Sequence, residues 1–226
     1  EVRQEGNMKI VTARNRENGG LQDFSSEALM IAAGRIPNSD ALKPEKTGVA
    51  PDERGYIKVN EFLETGKKNI WAFGDAIGKK MFKHVANYEA GIVWHNSIHE
   101  HKVPMDYSAA PHAIFSHPQG AAVGLKEAEA KNQGHKILVG KAQYKNTAMG
   151  AAMGEPEGFV KVIVERETGK VLGGHIIGAE ASVLIQEIVN VMFTETKSYT
   201  PILRAMHIHP ALTEVVQQAF GNLEPA

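Results

Sequence analysis

The chain has no cysteine, so disulfides, thiolate metal sites and thiol nucleophiles lie outside what these residues do alone. No run approaches the roughly 20 apolar residues that span a bilayer, and no signal-peptide text opens the chain. A soluble, cytoplasmic protein without a membrane partner is expected. An excess of charge of one sign is lacking too. Lys and Arg number 25 against 26 Asp and Glu, so no strong field favours nucleic acid. Neither GxGxxG nor a P-loop pattern occurs. MGAAMGEPEG (149–158) has glycines at 150, 154 and 158 but matches neither. The text opens on Glu1, with no Met, and runs at once into strand-like residues. It reads as a piece of a longer polypeptide, although processing would give the same opening.

What is present suits an α+β protein. The length of 226 residues allows one large domain or two modest ones. MKIVTAR (8–14) and EALMIAAG (27–34) read as strands flanking a hairpin turn at Asn18-Gly19-Gly20. YIKVN (56–60) reads as a short strand and NIWAF (69–73) as a buried one, followed by a helix over about 84–99. Val85, Tyr88, Ile92 and Ile98 follow helical spacing only loosely. KVPMDYSAAP (102–111) is a linker. Beyond it, strands are expected at 113–125, 136–144, 159–166 and 171–178, with helices at 126–134, about 181–195 and about 211–220. In the long helix, Leu184, Ile188 and Val191 with Ile185, Val189 and Met192 form an apolar stripe that must be covered internally or by a partner.

Three stretches can carry chemistry. In AAGRIPN (32–38), Gly34 permits a cofactor to approach the backbone and Arg35 can serve an anion; the plainer reading is a strand-end turn. In NIWAFGDA (69–76), Asp75 follows a buried strand, where a carboxylate can accept from sugar or polyol hydroxyls. The next helix offers N–H groups at Met81–His84; here the plainer reading is a Gly-Asp turn. In HIHPALTE (207–214), Pro210 suits a first helical turn, and Glu214 can reach back to His209, making an acid–base pair. The alternative is a Glu complementing a helix dipole beside an unrelated His. His207 carries no comparable argument. His95, His99 and His101 have metal-like spacing, but with no Cys and no clear fourth ligand they read as a solvated helix end; no metal is expected.

Taken in order, AAGRIPN, NIWAFGDA, MFKHVANYEAG, IFSHPQGAAVGL and HIHPALTE resemble the pyridine nucleotide–disulfide oxidoreductase family over essentially the whole chain. The HPALTE text is most similar to the dihydrolipoamide dehydrogenase branch. The resemblance implies an antiparallel sheet with helices at residues 107–226 forming a dimerisation domain. Before it would come the tail of an NAD-binding domain (1–36) and the closing segment of an FAD-binding domain (37–106). It implies FAD and NAD as cofactors, with Gly34 at the nicotinamide nucleotide, Asp75 at the flavin ribityl chain, and Met81, Phe82, Lys83 and His84 along the isoalloxazine. The family usually has Leu-Ala at 82–83, so only backbone roles carry over there. His209 and Glu214 match the pair that moves a proton to and from the substrate dithiol, with His209 serving the neighbouring subunit. A homodimer is implied, and a 2-oxoacid dehydrogenase complex is the larger assembly. The redox-active CxxxxC and both GxGxxG motifs belong to the half not seen here, so this stretch alone would be inactive. Alternatives are a glutathione-type reductase, an NADH oxidase, or a dimerisation module without chemistry.

Overall fold

The computed structural model describes residues 1–154 and 157–226. Glu155 and Pro156 of the MGAAMGEPEG stretch therefore lie outside the described residues.

The N-terminal strands β1 (Val2–Glu5), β2 (Met8–Arg14) and β3 (Leu21–Ser26) form an antiparallel sheet in that order. The expected hairpin is present: Asn15 N–H donates to Gly20 O at 2.8 Å, and Gly19 adopts φ +72°. Its second strand is Leu21–Ser26, and not 27–34 as the apolar text suggests. Both sides of β2 are taken, by β1 and by β3, and among the described residues 27–34 finds no partner strand. Met30 and Ile31 stay exposed, at 88% and 82%.

Residues 56–60 and 69–73 also form no strand; each contributes one isolated bridge, Pro51 to Ile57 and Glu64 to Trp71. Their apolar side chains still build a small core with Val49, Leu63 and Ile77. NIWAF then runs into a 3-10 turn at Gly74–Ile77. Helix α1 (Lys83–Ile98) follows where expected. Its loose apolar spacing has a cause: Tyr88 and Ile98 face solvent, while Glu89 and Asn96 are buried. The Asn96 amide donates to Phe62 O and Val103 O and accepts from Val103 N–H, so its burial leaves no unmet polar group.

The C-terminal part is a six-stranded antiparallel sheet, built from β4 (His112–Ile114), β5 (Gln119–Gly124), β6 (Ile137–Gln143), β7 (Phe159–Glu165), β8 (Val171–Gly178) and β9 (Glu224–Pro225). Its order is β4-β5-β8-β7-β6-β9. The single strand expected over 113–125 is split into β4 and β5, which pair across the His117-Pro118 corner. Short helix α2 (Glu127–Asn132) is closed as expected by Gly134, at φ +84°. Helix α3 (Ala148–Ala152) was not foreseen.

Helix α4 (Ala181–Met192) ends three residues before the expected 195 and packs on β5 and β8. All six residues of its stripe are buried within the chain, Ile188 completely, so the covering is internal. Burying such a side chain contributes on the order of 1.5–3 kcal/mol. Helix α5 (Thr200–Arg204) leads to the HIHP segment and then α6 (Thr213–Gly221), which packs on β6 and β7. The last helix starts at Thr213 and not around Pro210; a short non-helical stretch separates His209 from it.

Candidate functional site

Two clusters carry the residues singled out in the sequence. The first gathers around the 3-10 turn and the start of α1. Gly34 adopts φ +109°, a conformation open to glycine, and the next residue, Arg35, crosses to the second segment. One Arg35 Nη1 donates to Asp75 Oδ2 at 2.7 Å and to Met81 O at 3.3 Å. Tyr56 closes the arrangement, its hydroxyl donating to Arg35 O at 3.3 Å. These groups line a cleft of about 420 Å³ together with Ile36, Pro37 and Leu42. The Asp75 carboxylate remains half exposed, with an oxygen left to accept from a ligand.

On the other side of Met81, Phe82 precedes α1 and caps it with no side-chain hydrogen bond, and no acidic residue stands in the first turn. Lys83 and His84 are exposed there, and the Phe82 N–H is already taken by Lys80 O at 2.9 Å. Phe82 stacks on His84 and on His112, at centroid distances of 5.5 and 6.0 Å. The His84 Nε2–H donates to Pro111 O at 2.8 Å, tying α1 to the segment entering β4. A second cleft, about 410 Å³, opens here between Phe82–His84, His112, Phe115 and the α4 residues Ser182 and Ile185.

The second cluster is the His209–Glu214 pair. His209 Nδ1 lies 2.9 Å from Glu214 Oε1, and Ala211 N–H donates to Glu214 Oε2 at 3.0 Å. Both bonds, that from His209 foremost, hold the Glu214 carboxyl below the usual carboxylate range. A carboxylate acceptor assigns the proton to Nδ1 and leaves Nε2 as the working nitrogen. The imidazole is 70% exposed while Glu214 is 19% exposed, so the carboxylate is anchored and the ring projects outward. Among the described residues, no hydrogen bond or ion pair joins this cluster to Gly34, Asp75 or 81–84.

Several partners in these clusters carry no local signal in the sequence. His207 is paired as well: its Nε2 lies 2.9 Å from Glu187 Oε1, and the ring is 8% exposed. The signal was a carboxylate inside the apolar stripe of α4, but no spacing rule links residues twenty apart. Tyr56 lay hidden in an expected strand. Glu89 and Tyr107 bond to each other at 2.6 Å and were invisible for the same reason of distance along the chain. Among the described residues, no three His, Cys, Asp or Glu side chains, those of His95, His99 and His101 included, are grouped so that they could hold a metal ion.

Comparison with known proteins gives the family of the chain. The pyridine nucleotide-disulphide oxidoreductase family model matches residues 1–91, and the model of that family's dimerisation domain matches residues 110–220. The chain belongs to this family. It is 38% identical over 222 residues to a dihydrolipoyl dehydrogenase of Synechocystis sp., covering 94% of this chain and 46% of that protein. It is also 38% identical over 205 residues to a mycothione reductase of Mycobacterium tuberculosis, covering 88% and 44%. The solved structure of the HOCl-induced flavoprotein disulfide reductase RclA from Escherichia coli matches with TM-score 0.84 at 27% identity, covering 97% of this chain and 49% of that one. The chain thus spans about half the length of the curated relatives it matches.

Proposed function

We propose that this chain is the C-terminal part of an FAD-dependent dithiol–disulfide oxidoreductase that oxidises a dihydrolipoyl-type dithiol and passes the electrons to NAD. The observation that carries the reading is the His209–Glu214 pair. An exposed imidazole with one nitrogen engaged by an anchored carboxylate is built to take a proton at the other. In this reading Nε2 deprotonates the substrate thiol, because the thiolate is the reactive species in disulfide exchange. Glu214 holds the tautomer and favours the imidazolium that forms. The redox cysteines would come from outside these residues, since the chain has none.

The flavin reading rests on the first cluster. Asp75 supplies a half-exposed carboxylate for ribityl hydroxyls, and Met81, Phe82, Lys83 and His84, at the start of α1 that no side chain caps, are assigned to the isoalloxazine, with the N–H groups other than that of Phe82, which Lys80 O holds, as the donors for its acceptor edge. The donor set fits that part of FAD; the chain holds no glycine-rich pyrophosphate cradle. Bound there, the flavin would supply two-electron transfer between the dithiol and the pyridine nucleotide. Gly34 is assigned to close contact with NAD. The proposed division is 1–36 as the tail of the NAD domain, 37–106 as the closing FAD segment and 107–226 as the dimerisation domain, in keeping with the family matches.

A homodimer through 107–226 belongs to the proposal, supported by the dimerisation-domain match and by Met206 and Ile208, exposed at 101% and 78% beside His209. A dihydrolipoyl substrate would bring a 2-oxoacid dehydrogenase complex as larger partner. No helix among the described residues is long and apolar enough to cross a membrane; a cytoplasmic location is proposed with the function. A mycothione reductase matches at the same 38% identity, which favours a low-molecular-weight disulfide as the second reading. The deciding experiment assays the full-length enzyme with dihydrolipoamide and NAD⁺, and in parallel with mycothiol and glutathione disulfides and reduced nucleotide. Turnover of a disulfide with none of dihydrolipoamide rejects the first substrate.

A further inference from the structure

Glu89 stands in the middle of α1 with its side chain fully buried. A buried carboxylate without hydrogen bonds costs several kcal/mol or more. Here both oxygens are engaged: Oε2 accepts Gly74 N–H at 2.6 Å and Oε1 accepts the Tyr107 hydroxyl at 2.6 Å. Burial, and after it the bond to Glu89, pushes the Tyr107 hydroxyl above its ordinary range, which keeps it a donor. As a stabiliser alone, a buried charge is a poor choice beside an apolar side chain of equal volume. What it offers is a double acceptor at one point in space.

That point matters because Gly74 immediately precedes Asp75. The turn is pressed against α1: Gly74 has φ +69°, and a Cβ there would lie 3.3 Å from the Ala86 Cβ. Ala86 and Glu89, three residues apart, present one helix face to it. Tyr107 belongs to the segment that ends at Pro111, whose carbonyl accepts from His84. One side chain therefore joins α1, the Asp75 turn and the approach to β4.

Building on the flavin reading above, we infer that Glu89 is a positioning residue for the cofactor: it aims the Asp75 carboxylate by holding Gly74 N–H, and Tyr107 ties that hold to the segment entering the dimerisation domain. Glu89 touches no cofactor itself and acts through Asp75.

The test titrates the full-length apoenzyme with FAD, reading flavin fluorescence, for Glu89→Ala, Glu89→Gln and Tyr107→Phe, each with Asp75 intact and with Asp75→Asn. Glu89→Ala strands two buried donors and should weaken FAD binding roughly tenfold or more, the effect of losing hydrogen bonds to a charged group. Glu89→Gln keeps a carbonyl for Gly74 and an amide for the Tyr107 oxygen, so it should stay within about threefold of the parent. Tyr107→Phe should fall between them. In the Asp75→Asn background all three losses should shrink towards none, because the group they aim is gone. Equal losses in both backgrounds would mean that Glu89 merely supports the fold, and unchanged affinity would mean that it positions nothing; either overturns the inference. Should Glu89→Ala not fold, Tyr107→Phe and Glu89→Gln decide by the same comparison. If the unmutated apoenzyme does not take up FAD, the flavin reading itself falls, a result distinct from the others.

Discussion

His209 and Glu214 face each other across Pro210 with 2.9 Å between Nδ1 and Oε1, although the helix that holds Glu214 begins only at Thr213. The loop makes this possible. Ala211 N–H donates to the second carboxylate oxygen at 3.0 Å, so Glu214 is held by the loop as well as by the imidazole. In the proposed function the pair divides two roles: His209 carries the proton and Glu214 holds the ring.

Those roles predict unequal losses. In the full-length enzyme, His209→Gln should lower dithiol oxidation by roughly 10²–10⁴-fold, the usual worth of a positioned acid–base group, with flavin content unchanged. Glu214→Gln should cost less, because the imidazole remains and loses only orientation and basicity. Steady-state kinetics with flavin absorbance as the control measures both. A Glu214 variant more impaired than the His209 variant would reverse the assignment.

How much of this was readable depends on distance along the chain. His209 and Glu214 are five residues apart, and the β2–β3 turn is set by Asn15 to Gly20; both were legible because the partners are local. The α4 stripe was legible for the same reason, since helical spacing is intrinsic to the text. Residues 69–73 misled because apolar content marks a segment for burial and not for a ladder, whereas 27–34 are apolar and yet stay exposed. A ladder needs a partner strand, and among the described residues neither segment has one beyond the Glu64–Trp71 bridge. The Glu89 knot spans 15 and 18 residues and the His207–Glu187 pair 20, separations that no periodicity encodes.

Placement of α6 under the sheet yields a stability prediction. At Gly140 of β6, a Cβ would lie 1.9 Å from the carbonyl oxygen of Ala219, a backbone atom that cannot rotate aside. Gly140→Ala must push α6 off the sheet, and overpacking of this kind costs about 1–3 kcal/mol. Because α6 carries Glu214, dithiol oxidation in the whole enzyme should fall with stability. Urea unfolding checks the first part; a midpoint equal to the parent's would show that α6 packs elsewhere.

Acid should loosen the hold on α2. Glu127 accepts from Lys131 at 2.8 Å and Lys161 at 2.6 Å, and these bonds, that from Lys131 first, hold its carboxyl down to about 2 against an ordinary 4.5. A depressed carboxyl contributes stability that is fully present above pH 4.5 and is lost as pH falls towards about 2. The pairs are solvated, so the contribution is no more than about 1 kcal/mol. Glu127→Gln should therefore be slightly less stable than the parent at neutral pH, with the gap closing through that window. Denaturant midpoints across pH test it, and a gap that widens in acid would contradict the sign.

The proposed cross-subunit role of His209 gives the sharpest test. Its ring is 70% exposed and shares no hydrogen bond with the cluster around Asp75, which is the arrangement expected if it completes a site on a second copy. Full-length chains bearing His209→Gln are mixed with chains whose redox cysteines are replaced, and the dimers are dissociated and reassorted. Each parent dimer is inactive: one lacks the base at both sites and the other lacks the disulfide. Random pairing makes half of the dimers mixed, and in each of these one of two sites receives an intact disulfide from one chain and an intact His209 from the other. About a quarter of all sites should then regain activity, a fraction dictated by two-fold symmetry. If His209 served its own chain, no site in a mixed dimer would hold both groups, and the reassorted sample would stay as inactive as its parents.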